Sequence, residues 1–235
     1  MPEALSRWFA PKMTVQPGVG GFILGDWGPG LEWKTLIEVW ETNRHLRLVE
    51  TRDRVLTSSP VQEPLEPCRL VEDFHLEAQG GMTVLRLVHS GFGASTGWDH
   101  EYEGTRGGWA VCFLRLKHGL EQHRNDATHN LILPALCYGN DCAQVFEKIQ
   151  SAVPSPWRIL FQADSHLCWL VSDPNGSIFT VSVQPSSFGA VAYVEMLLFA
   201  HSDREAAAIE KEWRDRLAQL FPAPEGGRRV ESFNS

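Results

Sequence analysis

The sequence predicts an α+β protein in which antiparallel strands are closed by an amphipathic helix, with that unit repeated once. Three observations predict it. Runs in the first half alternate apolar and polar residues with period two, as strands covered on one face do. From Trp109 the period becomes helical: Trp109, Phe113, Leu116 and Leu120 fall at i, i+4, i+7 and i+11, with Arg115 and Lys117 off that stripe. Trp213, Leu217 and Leu220 then echo the spacing of Trp109, Phe113 and Leu116 near the other end of the chain.

The elements follow in order. GFILGDW, LEWKTLIEVWE and HLRLVET read as strands, and LVEDFHLEA and MTVLRLVHS follow a Pro-rich turn. In LVEDFHLEA one face carries Leu70, Glu72, Phe74, Leu76 and Ala78, and the other Val71, Asp73, His75 and Glu77. In MTVLRLVHS the same alternation turns Thr83, Leu85, Leu87 and His89 inward and Arg86 outward. HNLILPAL is a strand, and NDCAQVFEKIQSAV a helix capped by Asn140 or Asp141. WRILFQ, HLCWLVS, SIFTVSVQP and VAYVEMLLFA are further strands, joined by turns such as DPNG. A last helix opens with Ser202 and Glu205 in capping-box positions and shows the stripe Ile209, Trp213, Leu217, Leu220. Residues 123–128 are the expected joint, and 222–235 read as a disordered tail.

Composition narrows the function. The chain of 235 residues carries a net charge of −8 with scattered basic residues, which argues against a nucleic-acid surface. Five cysteines at irregular spacing make no disulfide framework and no paired zinc motif, so all five are expected reduced. No signal pattern and no membrane-length apolar run is visible, and the expected location is the cytoplasm. GFGASTG loosely fits a dinucleotide fingerprint, but the residues that follow it, WDHEYEGTRGG, carry Asp99, Glu101 and Glu103, which would repel a phosphate. Nucleotide binding is therefore not expected, and Asp99, His100 and Glu101 read as a solvated loop rather than metal ligands. His118 and His123, five apart, are expected to diverge on a helix surface. His89 is the titratable residue that matters, either as a satisfied core histidine or as a general base. Nine tryptophans either fill a core or line a pocket; periodicity leaves both open.

LSRWFAP and VQPGVGG (within 5–21), TVLRLVHSGFG (83–93) and GTRGGWAVCFLRLKHGLE (104–121) together resemble the SRPBCC, or START-like, superfamily. Within it they are most similar to domains of the kind that activates the ninety-kilodalton heat-shock chaperone ATPase. Leu5, Trp8, Phe9, Gly20, Gly21, Thr83, Leu85, His89, Gly91, Phe92, Gly108 and Trp109 carry the resemblance. It implies a helix-grip fold, a curved antiparallel sheet around a long C-terminal helix with an apolar cavity between them. With it comes a long turn through the glycines from His89 to Trp109, Gly107 and Gly108 letting the chain turn tightly before that helix. In that reading 1–122 form one domain lacking the usual first strand and helix. Residues 123–221 are a degenerate second copy, or else their first strand and helix complete the first domain.

The function implied is non-enzymatic binding of a hydrophobic small molecule. Its lining is expected from Trp33, Ile37, Phe74, Leu76, Leu85, Leu87, Trp109 and Phe113, with His89 as polar anchor. The alternatives are a chaperone cofactor, and an aromatase/cyclase-like enzyme with His89 as base and Glu72 assisting. No cofactor and no metal are expected. An apolar ligand is the expected partner, with a chaperone or a second copy of the chain as further ones.

Overall fold

The period-two runs of the first half form a six-stranded antiparallel meander. The computed structural model describes residues 2–28, 32–52, 68–94, 96–154, 157–163, 168–173, 175–186 and 188–223. After a short helix α1 (Pro2–Ser6), strands β1 (Lys12–Gln16), β2 (Phe22–Asp26), β3 (Glu32–Glu41), β4 (His45–Arg52), β5 (Cys68–Gln79) and β6 (Met82–Ser90) pair in chain order. The register puts Ile37, Leu48, Glu72 and His89 in one row across β3–β6. That row lies on the inner face, and the next, Val39, Arg47, Asp73 and Val88, lies on the outer one. A bulge between Ile37 and Val39 interrupts the β3–β4 ladder. β1 is a strand that the alternation does not reveal.

The helix that follows, α2 (Thr96–Gln122), begins well before Trp109. Of the stretch from His89, the first two residues end β6, residues 91–94 are the turn among the described residues, and Gly97, Gly104, Gly107 and Gly108 lie inside the helix. Burial of Trp98 against Leu70, Cys68 and Phe92 anchors the early turns. The glycines that matter for the turn come earlier. Gly91 has φ +93°, and a Cβ there would stand 2.0 Å from the Arg69 carbonyl oxygen; a Cβ on Gly93 would strike the Trp98 indole.

A second sheet follows the joint, from β7 (Thr128–Tyr138), α3 (Cys142–Ala152), β8 (Arg158–Ala163), β9 (Cys168–Ser172), β10 (Ile178–Ser186), β11 (Gly189–Phe199) and α4 (Asp203–Leu220). Its order is β7-β11-β10-β9-β8, so the first strand lies beside the last. β7 pairs with β11 from Thr128↔Phe199 to Tyr138↔Gly189. The strand and helix after the joint therefore build the second sheet and are not lent to the first. Both expected caps are present, Asp141 with Gln144 on α3 and Ser202 with Glu205 on α4, each worth about 1 kcal/mol. The architecture is α+β, each antiparallel sheet being followed by a closing helix as the helix-grip expectation has it, and the two units differ in strand order.

α2 lies between the two sheets. Trp109 and Cys112 pack with the inner face of the first sheet, and Phe113 stacks beside Trp109. Val111, Arg115, His118 and Gly119 fall on another side of the helix and meet the second sheet. Val111 joins Ile178, Leu197 and Phe199 in one buried cluster. The opposite face of the second sheet buries Leu133, Phe179, Val181, Val194, Met196 and Leu198 with Trp213 and Leu217 of α4. With both faces covered, β11 reads as a near-continuous apolar run.

Two expectations about α2 need correction. Arg115, off the predicted stripe, is 2% exposed, because its guanidinium donates to Glu195 Oε2 at 2.8 Å and Asn130 Oδ1 at 2.9 Å on the second sheet. Leu120, on the stripe, is exposed. His118 and His123 do not diverge: α2 ends at Gln122, and the two rings lie 5.2 Å apart. His123 stacks on Phe199 and bonds Asp126, while His118 bonds the Gly176 carbonyl. Arg7 ties the N-terminal segment to this joint by donating to the carbonyls of His123, Arg124 and Asp126. Among the described residues no helix is long and apolar enough to cross a membrane. The predicted tail falls largely on 224–235, outside the described residues.

Candidate functional site

The inner face of the first sheet divides into a filled end and an open end. At the filled end Trp33, Ile37 and Leu48 are buried with Phe9 and Ile23. Phe9 is the hub: it stacks on Trp109 at 5.5 Å between ring centroids and meets Trp27 and Trp33 edge-on at 5.0 and 5.2 Å. Aromatic pairs in such geometries add about 0.5–1.5 kcal/mol beyond their buried area. Phe9 sits here because α1 and the clamp of Arg7 fix the chain just before it.

Towards β5 and β6 the cover thins. Phe74, Leu85, Leu87, Trp109 and Phe113 are all half-buried. Trp40 and Leu76, which the register places on the same face, are 41% and 39% exposed. These apolar side chains thus stay partly accessible to solvent on the inner face, unlike the buried cluster at the filled end. Eight of the nine residues expected at the site are therefore buried or half-buried on this face or on the α2 side that covers it, and Leu76 stands at its rim. Trp33 and Ile37 belong to the packed end.

A polar chain is set into this apolar wall. Glu72 and His89 are direct cross-strand partners, and Glu72 is 5% exposed. His89 Nε2 lies 3.7 Å from Glu72 Oε1, and its Nδ1 accepts a hydrogen bond from the Trp109 indole N–H at 3.2 Å. The His89 ring also rests against Phe92 at 4.8 Å. Trp109 thus fixes which imidazole nitrogen faces the helix, and the carboxylate meets the other. A buried carboxylate and imidazole so arranged can hold a hydroxyl or phenol, or move a proton to or from one. Further along the inner face, Thr35 is 1% exposed, and its hydroxyl has no hydrogen-bond partner among the described residues.

Some of this is visible in the sequence. The alternation that turns His89 and Glu72 inward also places Thr35 between Trp33 and Ile37, a signal that could have found it. Trp40 at the lip escapes the pattern because the β3 bulge shifts it relative to Ile37. Cys112 packs with this face, whereas Cys137 and Cys142 lie in the second unit, where burial pushes the Cys137 thiol up to about 11 and raises that of Cys142 as well, so neither of those two supplies a ready thiolate. Asp99 is exposed on α2, and the side chains of His100 and Glu101 lie outside the described residues.

No family model matches the chain, and no curated protein sequence matches it. Solved structures do match. The crystal structure of DynU16, a putative protein in the dynemicin biosynthetic locus, does so at a TM-score of 0.39 and 15% identity, over 94% of this chain and 87% of that chain. The di-domain ARO/CYC StfQ from the steffimycin biosynthetic pathway matches at a TM-score of 0.36 and 11% identity, over 94% of this chain and 91% of that chain.

Proposed function

We propose that this chain binds an apolar, ring-containing small molecule between the β5–β6 inner face and α2, with Glu72 and His89 as its polar anchor. The observation that carries the reading is the carboxylate–imidazole–indole chain embedded in a half-buried aromatic wall. Binding sites for small molecules have this make-up, mostly apolar with a few convergent polar groups. The division of the chain near residue 123 gives the groove to the first unit alone. The likeness to heat-shock chaperone activators rests on the sequence motifs, and a chaperone partner is no part of this reading.

A second reading is favoured by one specific feature. His89, 3.7 Å from the buried Glu72 carboxylate, becomes a general base once a substrate displaces the Trp109 indole N–H from Nδ1 and frees that lone pair. A base assisted by a carboxylate is what an aromatase/cyclase-like reaction would use. The two readings share the groove and differ in turnover.

Native mass spectrometry of the purified chain, with the released fraction identified after denaturation, tests the common part. A stoichiometric apolar molecule is the expected result. Absence of any such molecule, together with no saturable binding of a fluorescent polycyclic probe, would sink both readings. His89→Ala then separates them: a binder keeps most of its probe affinity, and an enzyme loses turnover while keeping it.

A further inference from the structure

The outer face of the first sheet, opposite the groove, carries a second cluster. His45 and His75 are direct cross-strand partners on β4 and β5, and their rings stack at 4.3 Å and 16°. Asp73, two residues before His75 on the same face, places Oδ1 2.6 Å from His45 Nε2. One ligand atom from each of the three residues lies within 4.8 Å of the others. All three are partly buried rather than waving in solvent.

We propose that His45, Asp73 and His75 bind a divalent transition-metal ion of the zinc, nickel or copper type. Two imidazoles and one carboxylate are a borderline donor set, which suits these ions and not calcium or magnesium, whose shells are built from oxygen. Bonds of ~2.0–2.2 Å in a tetrahedral shell put ligand atoms about 3.3–3.5 Å apart. The His45–Asp73 contact must open by less than about 1 Å, and the widest separation must close by about 1.5 Å. Side-chain rotation on two paired strands achieves both. The ion replaces the proton between His45 Nε2 and Asp73 Oδ1, and solvent completes the shell.

Arg47 decides the affinity. Opposite Asp73 in the register, it donates to Oδ2 at 2.7 and 3.0 Å and to Oδ1 at 2.9 Å. Kept on Oδ2, it orients the carboxylate as an outer-shell partner. Its charge also opposes the ion's, so the site is moderate in affinity and strengthens when that charge is removed. Glu41, paired with His45 in the register, and Glu38, whose charge acts on Arg47, offset it in part.

Titration of the full-length, untagged chain with zinc chloride by calorimetry tests the site, with cobalt(II) absorption as the spectroscopic check of a nitrogen–oxygen shell. One ion per chain is expected, weakened at least about tenfold by His75→Gln or His45→Ala and tightened several-fold, ~3-fold or more, by Arg47→Met. No saturable binding at millimolar zinc, or binding of equal strength in His75→Gln, overturns the proposal. Should the histidine variants fail to fold, zinc-induced shifts of the wild-type imidazole resonances decide it. Shifts at His45 and His75 bear the site out, and shifts confined to other histidines overturn it.

Discussion

The two sheets of this molecule are both antiparallel and both followed by a helix, yet they differ in strand order and are covered differently. The second sheet is packed on both sides, by α3 and α4 on one face and α2 on the other, and its core cluster is closed. The first sheet has α2 over part of one face and keeps a half-buried aromatic wall ending in the exposed Trp40 and Leu76. Beside β11 lies β7 along its whole length, whereas β6 has no strand on its far side among the described residues. One unit spends its apolar surface on its own packing. The other leaves some of it available, and that surface is where the buried Glu72–His89 pair sits. Under the proposed function, the difference separates a supporting unit from a binding one within one chain.

The largest expected effect tests that separation directly. Trp213, 3% exposed among Phe179, Trp157 and Leu217, is expected to cost ~3–5 kcal/mol when replaced by alanine. Trp109→Ala, on the half-open face, is expected to cost clearly less, about 1–3 kcal/mol, while removing most probe binding. Denaturant unfolding of both variants reads the contrast. Equal losses would mean that the first sheet's inner face is a closed core like the second's, and the groove would fall with it.

Next in size is the joint that locks α2 onto the second sheet. Arg115→Ala strands Glu195 and Asn130 beside a buried hole, at an expected cost of ~3 kcal/mol. Adding Glu195→Gln to that variant should recover part of the loss, since the orphaned charge is then gone. A strictly additive double variant would show that the pair is not coupled and that α2 is held by apolar contacts alone.

What the sequence reveals of this arrangement follows from how far each signal travels along the chain. Period-two alternation is local, so the inward set Leu70, Glu72, Phe74 and His89 is legible from neighbouring residues alone, and so are the caps at Asp141 and Ser202. The start of α2 is not, because glycines at 97, 104, 107 and 108 are poor helix formers and what holds that end is burial of Trp98 on the first sheet. Nor is Arg115, whose partners lie on strands far along the chain and leave no periodic trace. The His45–Asp73–His75 cluster needs the β4–β5 register, which is set across the long segment between those strands. The groove's wall is therefore visible as a pattern, while the division into open and closed ends depends on which helix covers which face.

A smaller effect separates the wet face of the first sheet from the buried faces of the second. Arg47 and then His45 hold the Asp73 carboxyl below the usual carboxylate range, against the opposing effect of burial. A depressed carboxyl stabilises the fold above its unfolded value near pH ~4 and loses that contribution as pH falls through the lower folded value. The stability difference between wild type and Asp73→Asn should therefore be constant above about pH 5 and shrink below it. Parallel curves down to pH ~2.5 would show that the carboxylate's charge contributes nothing on this face.

The smallest effect concerns the part of α2 that precedes its contact with the second sheet. Gly107 and Gly108 are helical, and a Cβ built on either meets nothing within 4 Å. A glycine inside a helix costs roughly 0.5–1 kcal/mol relative to alanine through the freedom it keeps when unfolded. Gly107→Ala and Gly108→Ala should each stabilise the chain by up to about that amount. The family resemblance implies a tight turn at these two glycines, and a turn needing glycine would make both substitutions destabilising instead. The sign of the change in thermal midpoint thus distinguishes a helix running unbroken past the groove from one that starts at Trp109. A continuous helix holds Trp109 at a fixed height above His89, which is what the indole–imidazole hydrogen bond requires.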